Sequence, residues 1–407
     1  MFFCARRPSP FVTVFLVFLF RFRALYLAEC VFFRKIFANR VNNVTIRINI
    51  LQASMILLTS VGLMNHVILI PILLDIAERD AWFSALLTLV PYLLWTGLLY
   101  WIVKRSGQQP LFQWVESVSG KAVAAVLKLV FGVIVLLVAL ITLKDTITWA
   151  IASYLPETPA IALALLLVSI CYFAAQSGIL CISVMSGILF PVIVILGYFV
   201  MSANIINKDY SRLLPVMEYG LSPLLQGMYY VGAGYGELIL LLLMQEHIVT
   251  RIKWWHLALL GIIIAGLTIG PITGSIAEFG PVESAKHRYP AFEQWKLVKI
   301  QQSIERVDFF SIYQWFAGAF VRISMSMYIL CELSPFKGKR SKTVSLIVLA
   351  LLMPVVILLP VSDIQFYDWL KYVYMPSALI AYVVLTLCLC TIALFAKKGA
   401  YLRENME

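Results

Sequence analysis

The chain has 407 residues, of which 62% are hydrophobic and only 13% charged, a balance that excludes a soluble globular protein and identifies a polytopic membrane protein. Its formal charge of +11 would suggest nucleic acid in a soluble chain. Here Lys and Arg collect in short loops between apolar runs, where they set topology, and no nucleic-acid partner is expected.

Residues 1–46 form an amino-terminal arm of uncertain status. Phe11 to Phe20 is apolar but only about ten residues long, against the roughly twenty needed to span a bilayer, and Arg21 and Arg23 follow it. A signal peptide would need a small-residue cleavage site before Arg34, Lys35 and Arg40, and none is evident. An interfacial arm or an artefact of start-codon choice accounts for the segment equally well, and it is set aside from the fold.

From Ile48 onward, apolar runs of spanning length recur with short polar separators, the hydropathy pattern of a helical bundle. Ten spans are predicted, at 48–76, 82–103, 122–143, 160–176, 179–203, 222–247, 254–279, 311–333, 343–361 and 371–396, within a permease-like domain of residues 47–397 followed by a cytoplasmic tail, 398–407. Lys104, Arg105, Lys121, Arg251, Lys253, Lys337, Lys339, Arg340, Lys342, Lys397, Lys398 and Arg403 all fall on one side of such a bundle. Asp75, Glu78, Asp80, Glu157, Asp363 and Asp368 fall on the other. The even count and the charge bias place both termini in the cytoplasm. The long loop from Gly280 to Phe310 carries both signs and says little about orientation.

Two spans are interrupted. The sixth reads Val231-Gly232-Ala233-Gly234-Tyr235-Gly236-Glu237 in its middle, and the first holds Ser60, Gly62, Asn65 and His66, with Pro71 further on. A helix broken in hydrocarbon leaves backbone groups without partners, a state tolerated only inside protein or beside a polar cavity. Four unbroken spans separate the two interruptions, which predicts a 5+5 arrangement of repeats with the ligand at the paired breaks. This rests on position and hydropathy alone, and a glycine-rich packing face is the competing explanation.

Arg322 falls mid-span, where an arginine costs about 2.5–3.5 kcal/mol on insertion scales, and is therefore expected to face the bundle interior as the fixed positive charge near a cavity. Structural pairing or snorkelling is the alternative. Glu237 would open the second half of the broken helix, either as a cap or as a proton or cation partner. His66 reads as a packing residue or a proton relay, and Asn65 as a side chain that satisfies loosened backbone. Tyr229, Tyr230 and Tyr235 are weaker pocket candidates, and Trp254 and Trp255 read as an interfacial belt. The seven cysteines are odd in number, and Cys171, Cys181, Cys331, Cys388 and Cys390 lie in or beside apolar runs, so no disulfide framework follows. The four histidines lack ligand-like spacing, and there is no phosphate loop or catalytic serine motif; no metal, cofactor or enzymatic activity is expected.

The polar connections carry a more specific signal. Leu155-Pro156-Glu157-Thr158-Pro159, Leu213-Leu214-Pro215-Val216-Met217-Glu218-Tyr219-Gly220, Tyr289-Pro290-Ala291-Phe292-Glu293 and Glu305-Arg306-Val307-Asp308 occur in this order, with Ala81-Trp82 opening the second span and Gly62 to Pro71 in the first. Together they resemble the motif series of the spore germination permease family, the B subunit of nutrient germinant receptors in endospore-forming bacteria. The resemblance covers about residues 46 to 396 and implies membership of the amino acid–polyamine–organocation transporters, with an all-α, LeuT-like inverted repeat whose helices one and six are broken. It implies a ligand held by Gly62, Leu63, Asn65, Gly232, Gly234 and Tyr235, with Arg322 on helix eight. It further implies A and C receptor subunits as partners in the spore inner membrane, and the sensing of a small nutrient, an amino acid above all. One departure stands out: Leu180 and Val184 occupy positions where many members carry an acidic and then a basic residue. Two other functions stay open, a proton- or sodium-coupled amino acid permease using Glu237, His66 or Ser324, and a structural assembly subunit with a vestigial pocket. Purines and sugars also stay open as ligands.

Overall fold

The computed structural model describes residues 47–299, 307–335 and 338–396; the amino-terminal arm and the 398–407 tail lie outside the described residues. The described chain is all-α, and its extended pairing is a single parallel bridge between Ile48 and Ile248. It opens with α1 (Ile50–Leu63), a π turn (Met64–Ile68) and α2 (Leu69–Ala77), followed by α3 (Ala81–Ser106). A short amphipathic α4 (Leu111–Ser119) precedes α5 (Lys121–Ser153), α6 (Ala160–Ser177) and α7 (Ile179–Ala203). Then come α8 (Leu221–Gly236), a 3-10 segment (Glu237–Leu240), α9 (Leu241–Met244) and α10 (Trp254–Phe279). The second half of the bundle ends with α11 (Pro290–Leu297), α12 (Phe310–Leu333), α13 (Lys339–Leu352), α14 (Asp363–Trp369), a second π turn (Leu370–Tyr374) and α15 (Met375–Phe395).

Nine helical stretches among the described residues are long and apolar enough to cross a membrane. The first, Ile50–Ser106, is 57 residues. At about 1.5 Å per residue it would run far beyond a hydrocarbon core of roughly 30 Å. It doubles back instead: Glu78 takes φ 43° and ψ −114°, and α2 packs against α3. The stretch thus supplies two of the ten predicted crossings.

Two boundaries move. The third span runs on through Lys144 and Asp145 to Ser153, because Asp145 is neutralised by Arg288 and Lys144 reaches the Val361 carbonyl at 3.3 Å. The tenth starts at Asp363 rather than 371, because Ser362 and Gln365 close a capping box. The core is built from α1, α2, α12 and the Val231–Met244 part of the sixth span, which bury most of their residues, whereas α6, α7 and the Arg340–Leu358 stretch leave most of theirs half-buried or exposed. A helix apolar on all sides yet exposed faces lipid.

The interruptions take a milder form than unwinding. Gly232, Gly234 and Gly236 all lie inside α8, and only at Glu237 does the winding tighten to 3-10. In the first span the Leu69 N–H reaches back to the Met64 carbonyl, the i→i+5 bond of a π turn. Close packing accounts for two of the glycines. A Cβ at Gly234 would stand 2.5 Å from Asn65 Oδ1, and one at Gly236 would stand 2.4 Å from the Tyr382 ring.

A buried ion pair at the helix interruptions

Arg322 reaches the backbone of the first span just before its winding changes. Met64 N–H bonds the Val61 carbonyl rather than the one a turn back at Ser60, and Arg322 Nη1 donates to the Ser60 oxygen at 2.8 Å. The same guanidinium forms a two-pronged pair with Glu237: Nη1 to Oε2 and Nη2 to Oε1, both 2.6 Å. Its Nε donates to Thr142 Oγ1 at 2.8 Å. Four spans, contributing Ser60, Thr142, Glu237 and Arg322, therefore meet at one cation halfway along α12. Neither charge sees solvent, with Arg322 0% and Glu237 1% exposed.

The planar fork of Arg matches a carboxylate in two places at once, and each group offsets the other where a lone charge would be costly. Such a pair is poor evidence for stability, since two apolar residues of similar volume are often as good; removing one partner alone costs about 3–5 kcal/mol.

Around the pair stand polar groups with unused capacity. Tyr374 and Tyr382, eight residues apart on the last span, lie beside Glu237 and Arg322, yet neither hydroxyl has a hydrogen bond of ordinary geometry. Ser60 Oγ is likewise buried without a partner. Nearby, Asn65 Nδ2 donates to the Val61 carbonyl (2.9 Å) and across to the Gly234 carbonyl (3.0 Å), while its Oδ1 is unpartnered. A buried polar atom left in this state costs about 1–3 kcal/mol.

The two ends of the bundle are tied shut. On the side of the basic loops, Ile48 exchanges backbone bonds with His247 and Val249 (2.8 and 2.9 Å), and Gln108 Nε2 donates to the carbonyls of Ile248 and Thr250. On the side of the acidic loops, Arg288 is ion-paired with Asp145 at 2.8 Å and with Asp363 at 3.3 Å and lies over the rings of Tyr289 and Tyr367. Burial works against the Arg288 charge, but Asp145, Tyr289 and Asp363 outweigh it and hold the guanidinium above its ordinary range. Lys371 and Tyr367 both bond Asp75, at 2.6 and 3.0 Å.

A family model for spore germination proteins, the spore permeases, matches residues 47–366. The chain belongs to this family. Spore germination protein XB of Bacillus anthracis is 39% identical over 333 residues, covering 82% of this chain and 94% of that protein. Spore germination protein KB of Bacillus subtilis (strain 168) is 21% identical over 265 residues, covering 62% of this chain and 69% of that protein. The chain is thus an integral membrane protein of the spore germination family, receptor- or transporter-like rather than enzymatic.

The fold brings together some of the residues singled out from sequence and separates others. Asn65 joins Gly234, and Glu237 joins Arg322. Glu237 is engaged by Arg322 rather than by the backbone ahead of it, so the pair replaces the cap as the explanation of this acid. Gly62 and His66, one helical turn apart, face α10: a Cβ at Gly62 would stand 3.2 Å from Leu267 Cδ1, and His66 Nδ1 is 3.0 Å from the Leu267 carbonyl. Leu63 packs on Gly318, and Gly232 faces Leu379. Tyr235 turns to α3, its ring 4.9 Å from Tyr92 and its hydroxyl 3.4 Å from the Ala85 carbonyl. Ser324 lies beside Cys171 of α6. Leu180 and Val184 are half-buried on α7.

The sequence reading passed over Thr142, Tyr374, Tyr382 and the Arg288 cluster. A hydroxyl at Thr142 near the end of the predicted third span and two tyrosines eight residues apart on the tenth are visible signals. The meeting of Arg288 with Asp145 and Asp363 spans long separations and left no local pattern.

Proposed function

We propose that the permease is the membrane subunit of a spore nutrient germinant receptor, binding a small nutrient of the amino acid class where the first, sixth and eighth spans meet. The observation that carries this reading is the buried Arg322–Glu237 pair, anchored to the Ser60 carbonyl at the π turn of the first span. Opposite charges buried side by side, flanked by unsatisfied hydroxyls, suit a small ligand with its own carboxylate and ammonium groups. In this reading the fold is a LeuT-like pair of five-helix repeats, the protein resides in the spore inner membrane with both termini cytoplasmic, and A and C receptor subunits assemble with it. Ligand binding favours one arrangement of the repeats by its differential affinity for the two states.

Spores carrying Asn65→Ala or Arg322→Gln at wild-type abundance are expected to lose their germination response to nutrient amino acids. An unchanged response overturns the site. Accumulation of a labelled amino acid against a gradient by liposomes holding this chain alone would replace sensing with transport. A second reading, a structural subunit with a vestigial pocket, is favoured by the tight seating of Gly234 and Gly236 on Asn65 and Tyr382. It predicts that partner subunits need the protein to accumulate while the germination response tolerates every pocket change.

A further inference from the structure

Resting on that reading of the site, we propose that Glu237 acts as an internal substitute for the ligand's carboxylate. A bound amino acid places its carboxylate on Arg322 in exchange for Glu237, and the released Glu237 carboxylate receives the ligand's ammonium group. Glu237 is therefore a specificity-determining residue that competes with acids lacking an amino group and assists those that carry one.

Three features of the site support the exchange. The pair is closed upon itself, both prongs of Arg322 being filled by Glu237 at 2.6 Å, so a carboxylate ligand can reach this cation only by displacing that acid. The displaced acid has hydroxyls to meet it, because those of Tyr374 and Tyr382 lie beside it and neither holds a hydrogen bond of ordinary geometry to another group. Glu237 also begins the 3-10 segment between α8 and α9, a tighter winding than the helix on either side, so a change of winding there would carry its side chain away from Arg322. Arg322 keeps Thr142 and the Ser60 carbonyl through the exchange and stays in place as the fixed member. Acids without an amino group pay for displacing Glu237 and return nothing to it, which makes the pair a filter for zwitterions.

The test uses the full chain in lipid nanodiscs and calorimetric titration with the twenty standard amino acids. The tightest binder is then compared with the same acid lacking its α-amino group and with its α-carboxamide. In the wild type, loss of either charged group is expected to weaken binding by at least about tenfold. In Glu237→Gln the advantage of the amino acid over its des-amino analogue should vanish, with the des-amino acid binding more tightly than it does to the wild type. Arg322→Gln should abolish the preference for a carboxylate over a carboxamide. If Glu237→Gln weakens both acids by the same factor or changes neither, the exchange is overturned while amino acid binding stands. If Glu237→Gln does not fold, the wild-type series decides: equal binding of the amino acid and its des-amino analogue overturns the exchange. If no amino acid binds the wild type, the ligand class proposed above fails and the exchange fails with it.

Discussion

Asn65 Nδ2 donates to the Gly234 carbonyl across 3.0 Å, joining the π turn of the first span to the sixth span one helical turn before its winding tightens. A side-chain amide thus links the two irregular places in the bundle, and the absence of a side chain at Gly234 makes the approach possible. Asn65→Ala removes the donor from both the Gly234 and the Val61 carbonyl, and each buried acceptor left bare costs about 1–3 kcal/mol. A clear fall in the thermal unfolding midpoint of the detergent-solubilised protein is expected. Asn65→Asp, which replaces the donor by a charged acceptor facing two carbonyls, should be worse than alanine.

The ion pair makes an opposite prediction for single and double changes. Arg322→Met alone leaves Glu237 as an uncompensated buried acid, and Glu237→Met alone leaves Arg322 with only Thr142 and Ser60; either should cost about 3–5 kcal/mol. The double variant removes both charges together and should be more stable than either single variant. A double-mutant cycle of unfolding midpoints checks this, and simple additivity would show that the two residues are not coupled as the geometry requires.

The all-α membrane bundle and the burial of Arg322 were legible in the sequence because each follows from hydropathy or from the cost of a charge in lipid. Two matters were not. Glycines at alternate positions predict loosened helix and tight packing equally well; Gly234 and Gly236 show the second, and only the positions of Asn65 and Tyr382 decide it. Glu237 reads as a cap when only its own helix is in view. The partner that explains it is 85 residues away on α12, and no local pattern links them.

Arg288 ties a loop to two spans, and its removal should loosen that end of the bundle. Arg288→Gln leaves Asp145 buried without a cation and releases Asp363 at the start of α14. Hydrogen exchange over residues 281–297 and 363–371 is expected to rise, while residues 247–253 at the opposite end keep their protection. Arg288→Lys should recover only part of the protection, because a single ammonium does not span two carboxylates as a planar fork does. Equal protection in all three proteins would mean that the cluster does not hold the loop.

The glycines offer a graded test of packing against flexibility. Alanine favours an α-helix over glycine by about 1 kcal/mol, so where space allows, Gly→Ala should stabilise. Gly266 and Gly270 in α10 have nothing within 4 Å of an added Cβ, and alanine there should raise the unfolding midpoint or leave it unchanged. At Gly232 the added carbon would stand 3.2 Å from Leu379 Cδ1, the end of a side chain that can yield, and the effect should be small. At Gly234 it would meet Asn65 Oδ1 at 2.5 Å and Leu69 Cδ2 at 2.8 Å, and at Gly236 the Tyr382 ring at 2.4 Å. Both neighbours belong to the site, so these two substitutions should lower the midpoint and disturb ligand response together, by the roughly 1–3 kcal/mol that overpacking costs. Were the glycines present to loosen the helix instead, alanine at 232, 234 and 236 would act alike regardless of what each faces.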